Sequence, residues 1–311
     1  MNAYYLPHHQ TPFSGKTATI IGQITHDTGE QPQPGGCAYF AARTLQDLGT
    51  EISLLTCVGL DFRFEHKLHG MRRIIDVGNQ TTVFTNIYPT DGPRIQYVTQ
   101  QAPAISPNML PDEWCHTDLL ILAPVMGELS DAHWQQVRGS GHTAMFLQGF
   151  LKEATSLTRN NRRLVVPRET PFPWEILTHV DSVFLSTEDI ELFASSAFLS
   201  ELIERVPVVA VTDGENGCRI HHNDTCIDVG VFPVDVRNPT GAGDTFGATM
   251  AMALASGFPV ADAGRLGAAA ASMVVERNGE ERLTKMNFTW ERWRHIASRK
   301  IRCHHDDAIS G

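Results

Sequence analysis

Long apolar stretches are absent from the sequence. No run reaches the roughly 18 apolar residues that a membrane-spanning helix requires, so we expect no membrane span. Near the N-terminus, residues 7–10 read Pro-His-His-Gln, where a signal peptide would be apolar. We therefore predict a cytoplasmic protein.

Cysteine is sparse, and its spacing excludes two common uses. The six cysteines include no Cys-x-x-Cys pair and no spacing typical of a zinc site. Several lie in apolar runs, which favours buried thiols in a reducing compartment. Basic residues are also outnumbered, and the net charge of −10 argues against a nucleic-acid-binding surface. The net charge does not exclude an anionic ligand, because local fields decide whether such a ligand binds.

The most informative stretch covers residues 238–248, which read Asn-Pro-Thr-Gly-Ala-Gly-Asp-Thr-Phe-Gly-Ala. A β-rich segment over residues 228–234 precedes it, and small apolar residues follow it as far as Gly257. The pattern predicts a strand, a tight turn and a buried helix with Gly257 at its C-terminus. The amides of the Gly-Ala-Gly turn would then lie at a helix N-terminus, which suits a phosphate.

Asp244 follows this turn at the predicted start of the helix. We expect the helix dipole to hold its carboxylate ionised. Main-chain donors beside a charged base are what phosphoryl transfer to a hydroxyl requires. An ordinary turn with Asp244 as a helix N-cap is the alternative for the five residues Thr-Gly-x-Gly-Asp, and the longer pattern decides between the two.

Over its whole length, this stretch resembles the C-terminal signature of the ribokinase-like (PfkB) carbohydrate kinase family. The resemblance implies that Asp244 is the catalytic base and that the amides of Gly241, Ala242 and Gly243 form an anion hole. It places Thr240 beside the phosphoryl donor. It also implies ATP and Mg²⁺ as cofactors and leaves a monovalent cation open.

Two stretches in the N-terminal half extend the resemblance. Residues 17–23 predict a first strand, and Asp27 follows near its C-terminal end, where ligands bind in open α/β sheets. The family has a substrate-gripping aspartate here, and a carboxylate can accept bonds from two hydroxyls. Gly35 and Gly36 resemble the family's Gly-Gly signature, where the backbone approaches the substrate.

Phe40 departs from the family pattern, which usually has Asn at this position. A ring in place of an amide removes polar contacts to a sugar, so the acceptor's identity stays open. The segment Gln148-Gly149-Phe150 is common in one branch of the family. These two features keep an inositol-type or nucleoside acceptor among the candidates.

A β-rich lid is expected within about residues 79–102. Residues 80–101 alternate around a Thr-Asp-Gly-Pro turn, which predicts a hairpin. The resemblance implies that such strands close over the substrate, exclude water and often pair between subunits, so a homodimer through the lid is open. Arg94 lies in this hairpin and is assigned to substrate or phosphate, with an ordinary surface arginine as the alternative.

The donor side is predicted from two further strands. Residues 206–218 predict a buried strand and a Gly-rich turn that resembles the family's Val-Thr-x-Gly-x-x-Gly nucleotide loop, with Thr212, Gly214 and Gly217 at the nucleotide. Residues 182–186 predict a strand that enters a helix. There the family has Asn-x-x-Glu, which organises magnesium.

This chain replaces that metal motif with Ser186-x-x-Asp189, and Glu188 is the alternative metal ligand. Three other segments are also predicted. Residues 143–152 are expected to form a strand that enters a loop, residues 302–311 a frayed tail, and residues 260–276 a helix, which the resemblance places against the adenine and for which plain helix packing is the alternative. Residues 153–175 receive no assignment.

Together these features predict one α/β domain over residues 1–311 with a doubly wound, mostly parallel central sheet flanked by helices and a small β lid. The predicted function is ATP-dependent phosphorylation of a hydroxyl on a sugar or sugar-like polyol. An inositol or nucleoside kinase of the same family is one alternative. A non-catalytic relative that only binds a ligand is the other.

Overall fold

The chain folds into two β-sheets with helices packed on both faces of the larger one. The computed structural model describes residues 13–28, 32–87, 89, 94–136, 140–277, 283, 286–297 and 302–305. Within these residues the strands are β1 (Thr17–Ile21), β2 (Thr25–Thr28), β3 (Gln33–Gly35), β4 (Glu51–Gly59), β5 (Arg72–Gly78), β6 (Val83–Ile87), β7 (Ile95–Gln100), β8 (Leu119–Leu122), β9 (Thr143–Phe146), β10 (Lys152–Arg159), β11 (Arg162–Pro167), β12 (Ser182–Ser186), β13 (Val208–Thr212), β14 (Cys218–His222), β15 (Thr225–Val229) and β16 (Arg302–His305).

The α-helices of the same residues range in length from 4 to 16 residues. They are α1 (Cys37–Asp47), α2 (Asp131–Gln136), α3 (Gln148–Leu151), α4 (Thr187–Phe193), α5 (Ser196–Arg205), α6 (Ala242–Ala255), α7 (Val260–Val275) and α8 (Thr289–Ala297). No helix in this part of the chain has the length and apolar character that crossing a membrane would need.

The larger sheet has the order β16-β15-β14-β13-β12-β9-β8-β1-β4-β5. From β5 to β13 all neighbouring strands are parallel, and β14, β15 and β16 extend the sheet as antiparallel strands. Parallel strands are buried on both faces, and the nearly continuous apolar sequences of these strands suit that position. The prediction of a mostly parallel central sheet is confirmed.

Two apolar cores cover the two faces of this sheet. Neighbouring strand residues alternate between them: Ile20 and Leu54 pack on the side of α1, α6 and α7, whereas Ile21 and Leu55 pack on the opposite side with α5. All four side chains are completely buried. Burial on both faces is the expected result of helices wound on both sides of a parallel sheet.

The second sheet forms the lid, with the order β10-β11-β7-β6-β2-β3. The predicted hairpin is present as β6 and β7, although its turn at residues 90–93 lies outside the described residues. The hairpin of β10 and β11 lies in the stretch that received no assignment. It turns at Asn160 and Asn161, both with positive φ, which is a recognised hairpin signal.

Four local predictions were wrong at their ends. The first strand stops at Ile21, and the β-rich segment before residues 238–248 ends at Val229 because Gly230 and Pro233 interrupt further pairing. The strand expected over residues 143–152 stops at Phe146, and a helical turn follows. Part of the expected frayed tail is β16, which pairs with β15.

A buried carboxylate joins the central sheet to the base of the lid. Glu128 is 3% exposed and accepts backbone hydrogen bonds from Gln23 (3.0 Å), Val125 (2.8 Å) and Met126 (2.8 Å). The Gln23 side chain accepts a bond from Thr82 Oγ1 at 2.7 Å and donates to Pro103 O at 2.6 Å. The ends of β1 and β8 are therefore linked to the residues that flank the lid hairpin.

We predict that Glu128→Ala lowers the free energy of unfolding by at least about 3 kcal/mol, because each buried donor left without a partner costs about 1–3 kcal/mol. Urea denaturation measures this loss. Glu113→Ala removes an exposed carboxylate and serves as the control, with a change within about 0.5 kcal/mol. Equal stability of the two variants would contradict the structural role of Glu128.

Candidate active site

A cavity of about 410 Å³ lies between the central sheet and the lid. It contains most of the residues that the sequence proposes for the site. Those on its wall are Asp27, Gly36, Arg94, Glu188, Asp189, Thr212, Gly214, Thr240, Gly241, Ala242, Gly243 and Asp244. Gly35 and Gly217 are the two proposed residues that do not line it.

The Gly-Ala-Gly turn ends one side of the cavity at the N-terminus of α6. Gly241 has a φ of 78°, a left-handed conformation that favours glycine, and α6 begins at the next residue. The Ala242 amide donates to Pro239 O at 3.2 Å. No bond from the Gly243 amide to another described residue is present, and a side chain at Gly243 would meet open space apart from Thr212 Oγ1 at 3.9 Å. Gly243 is exposed, whereas Gly241 and Ala242 are half-buried, so Gly243 offers the most accessible amide of the proposed anion hole.

Phe40 occupies the space in front of this turn. A Cβ atom built on Gly241 would lie 2.4 Å from the Phe40 ring, so glycine is needed there for a second reason. The ring is 4% exposed and also lines the cavity. The ring at position 40 therefore packs against the Gly-Ala-Gly turn.

Asp244 is half-buried at the cavity wall, and its surroundings tune its acidity. Burial raises the pKa of Asp244 to about 6. The charges of Asp189 and Asp27 add to the rise, whereas a hydrogen bond from Cys37 and the charge of Lys152 oppose it. The helix dipole was expected to hold this carboxylate ionised. Burial outweighs that effect, so the group titrates close to neutral pH.

Asp27 lies on β2, at the lid side of the cavity. Its Oδ1 accepts a hydrogen bond from Thr25 Oγ1 at 2.9 Å. A Cβ atom on Gly35 would lie 2.4 Å from all three atoms of the Asp27 carboxylate group. Gly35 thus supports Asp27 from behind, which explains a glycine that does not itself line the cavity. Gly36, with a φ of 92°, is the N-cap of α1.

The proposed metal ligands differ in how far they are already engaged. Asp189 Oδ2 accepts bonds from the Ser186 amide (2.9 Å) and hydroxyl (2.7 Å) in a capping box, whereas Oδ1 is buried without a partner among the described residues. Glu188 Oε2 pairs with Arg94 Nη2 at 3.1 Å. Asp189 Oδ1 therefore fits a cation better than Glu188 does.

The described residues contain no cluster of three metal-ligating side chains. Asp189 and its neighbours could therefore bind Mg²⁺ only as proteins usually do, with one or two carboxylates as ligands and waters and donor phosphates as the others.

The Gly-rich turn after β13 is only partly in the cavity. Thr212 and Gly214 line it, whereas Gly217 has a φ of 102° and lies against Val229 O, which a Cβ would approach to 2.2 Å. Gly217 O accepts a bond from the Asp213 amide at 2.8 Å. The turn itself therefore requires a glycine at position 217.

The small residues of α7 are explained by close packing. A Cβ on Gly264 would lie 2.4 Å from Ile220, and one on Gly267 would lie 2.8 Å from Phe246 O. These contacts join α7 to β14 and α6. The alternative of plain helix packing, left open from the sequence, accounts for these glycines.

Sequence reasoning missed Lys152, which is 2% exposed and lines the cavity. Its Nζ donates to Gln96 Oε1 at 2.8 Å and lies 5.4 Å from the Phe84 ring centroid. Burial lowers the pKa of Lys152 to about 8, with the charge of Arg94 acting in the same direction. One signal was available, since Lys152 is the only lysine between residues 67 and 285.

Known proteins with similar sequences include inositol, nucleoside and cytidine kinases. The profile of the pfkB family carbohydrate kinase matches residues 148–285. The inositol 3-kinase of Arabidopsis thaliana is 28% identical over 298 residues, which cover 90% of this chain and 81% of that protein. The chain belongs to the PfkB family of carbohydrate kinases. It is therefore a phosphotransferase of the sugar and nucleoside kinase class.

Solved structures of family members share the fold. A pyrophosphate-dependent kinase of the ribokinase family, complexed with a pyrophosphate analogue and myo-inositol, superposes with a TM-score of 0.70 at 17% identity, over 88% of this chain and 99% of that one. The nucleoside kinase of Methanocaldococcus jannaschii has a TM-score of 0.69 at 22% identity, over 91% and 99%. The predicted ribokinase-like fold with a lid is confirmed.

We predict that Gly35→Ala raises the KM for the acceptor by about 10- to 100-fold, because the new methyl group displaces the Asp27 carboxylate, and a hydrogen bond to a charged group contributes about 1.5–3 kcal/mol. Steady-state kinetics in the acceptor concentration measure the effect. Gly230→Ala is the matched control, since a Cβ there meets open space. An unchanged acceptor KM in Gly35→Ala would show that Asp27 does not hold the acceptor.

Proposed function

We propose that this protein is an ATP-dependent kinase that phosphorylates a hydroxyl of a sugar-like polyol, with myo-inositol as the first candidate acceptor. The observation that carries the proposal is that Asp244, the accessible Gly243 amide and Asp27 lie on the wall of one cavity. The 28% identity with an inositol 3-kinase over most of the chain supports a cyclic polyol.

The proposed mechanism divides the work between the two ends of the cavity. Asp27, steadied by Thr25, accepts hydroxyl bonds and orients the acceptor. Asp244 takes the proton of the reacting hydroxyl, whose oxygen then attacks the terminal phosphorus of the donor in line. The amides at the N-terminus of α6 stabilise the charge that develops on the phosphoryl oxygens. Mg²⁺, held by the donor phosphates and Asp189, would neutralise part of that charge.

The donor has two candidates of different size. Thr212, Gly214 and Thr240 on the cavity wall support ATP, as the Gly-rich turn after β13 is similar to the family's nucleotide loop. Some ribokinase-family kinases with this fold depend on pyrophosphate. We therefore propose ATP and include pyrophosphate in the test.

A phosphorylation assay over a panel tests the function directly. The acceptors are myo-inositol, ribose, fructose and cytidine, each with Mg-ATP or Mg-pyrophosphate, and phosphorylated product is detected by mass spectrometry. Product from one acceptor with ATP supports the proposal, and product only with pyrophosphate overturns the choice of donor. Ligand-induced thermal shifts without product from any pair would favour the non-catalytic binding relative.

We predict that Asp244→Asn lowers kcat by about 10²- to 10⁴-fold, the usual contribution of a positioned general base, and leaves donor binding near wild type. Rapid-mixing kinetics and calorimetry measure the two quantities separately. Asp228→Asn makes the same substitution on β15, outside the cavity, and should retain wild-type turnover. Full activity of purified Asp244→Asn would remove the assigned base.

We also predict that kcat/KM rises with pH and levels off above roughly pH 7, because only the ionised carboxylate of Asp244 can take a proton and its pKa is about 6. The pH–rate profile of the wild-type enzyme measures this. The residual activity of Asp244→Asn should lack the same step. A wild-type profile that is flat from roughly pH 5 to 7 would contradict the assignment.

A further inference from the structure

Three side chains of the lid form a continuous hydrogen-bonded row along the cavity. Lys152 Nζ on β10 donates to Gln96 Oε1 on β7 at 2.8 Å. Gln96 Nε2 donates to Asn86 Oδ1 on β6 at 2.8 Å. All three residues line the cavity, and Lys152 and Gln96 are buried.

The ammonium group of Lys152 decides which atoms of Gln96 and Asn86 donate hydrogen bonds and which accept them. The two ends of a side-chain amide look alike in shape, and their assignment depends on the hydrogen bonds around them. An ammonium group has three donors and no acceptor, so the Gln96 atom that faces it has to be the oxygen. The nitrogen of Gln96 then faces Asn86 and can only pair with its oxygen.

The remaining atom of the row is Asn86 Nδ2. No hydrogen bond from it to another residue of the described chain is present. Its two N–H groups are therefore available at the lid wall. The carboxylate of Asp27, which can only accept hydrogen bonds, lies at another place on the cavity wall. A polyol in this cavity therefore meets hydrogen-bond donors at one place on the wall and hydrogen-bond acceptors at another.

Lys152 stays a donor under ordinary conditions. Its pKa of about 8 leaves it mostly protonated at neutral pH. The Phe84 ring, 5.4 Å from Nζ, provides a cation–π contact in place of water. Burial among fixed partners holds the row in one orientation.

We propose that Lys152 is a positioning residue that sets the polarity of the acceptor pocket: through Gln96 it turns Asn86 so that the lid wall offers N–H donors to the acceptor. The inference rests on the proposed function for the existence of a polyol acceptor. It states which chemistry that acceptor presents. One of its oxygens accepts a hydrogen bond from Asn86, and an oxygen at another position donates to Asp27.

The first test measures the row without any ligand. Side-chain amide ¹⁵N–¹H spectra of the full chain, assigned with Gln96→Glu and Asn86→Asp, report hydrogen exchange at each NH₂ group. We expect slow exchange for Gln96 and fast exchange for Asn86. Lys152→Met should remove this difference, and Lys152→Arg should keep it, since arginine also only donates. Equal exchange at both amides in the wild-type chain would overturn the proposal.

The second test uses uncharged ligands as probes to determine where the pocket wall donates hydrogen bonds and where it accepts them. The probes are myo-inositol and its monodeoxy and monoketo analogues, because a ketone accepts hydrogen bonds but cannot donate them. In the wild-type chain, we expect one position at which the ketone binds within about 3-fold of the hydroxyl and the deoxy compound binds at least 10-fold more weakly, which corresponds to about 1.4 kcal/mol. Calorimetry measures the dissociation constants.

Gln96→Glu is the decisive variant. A carboxylate at position 96 accepts from both neighbours, so Asn86 has to turn its nitrogen inward and present its oxygen to the cavity. The ketone at the tolerant position should then lose at least 10-fold in affinity relative to the hydroxyl, because two acceptors face each other. Gln148→Glu adds the same charge on the cavity wall outside the row and should leave that ratio unchanged.

The outcomes separate this inference from the proposed function. If the ketone-to-hydroxyl ratio changes equally in Gln96→Glu and Gln148→Glu, charge alone is responsible and the inference fails. If myo-inositol does not bind the wild-type chain, the proposed acceptor is wrong. In that case the amide exchange measurement still decides whether Lys152 orients the row.

Discussion

The site depends on the way α6 begins. Its first turn follows Gly241, whose backbone conformation favours glycine and whose missing side chain leaves room for the Phe40 ring. This start brings main-chain donors and Asp244 to the same end of the cavity. The burial that surrounds Asp244 also raises its pKa to about 6, so a group that is normally a weak base becomes suited to accept a proton near neutral pH.

The two sheets contribute different chemistry, and two links hold them together. The central sheet and its helices supply the turn at residues 241–243, Asp189 and Asp244, whereas the lid supplies Asp27, Arg94 and the row that starts at Lys152. The buried Glu128 ties together the ends of β1 and β8 through backbone amides, and the Gln23 side chain continues this link to Thr82 and Pro103 at the base of the lid. The Arg94–Glu188 ion pair bridges the opposite side of the cavity.

Features that arise within a few residues were predictable from the sequence. The apolar strands of the central sheet, the helices α6 and α7 and the glycine that ends α6, Gly257, were anticipated, because periodicity and backbone freedom are local properties. The lid strands β10 and β11 were not assigned. Their polar composition resembles a loop, and the pairing of β11 with β7 joins residues far apart in the chain.

The sequence by itself determined the family and the glycine-rich turn that starts α6 and carries Asp244, because such a turn requires backbone conformations that few residue types allow. Only the tertiary structure decided how those groups behave. In the folded chain, one oxygen of Asp189 is used in a capping box, Gly217 lies away from the cavity wall, and Lys152 is buried beside Gln96. Acidity and hydrogen-bond direction depend on neighbours that come from distant strands, so they are properties of the folded site.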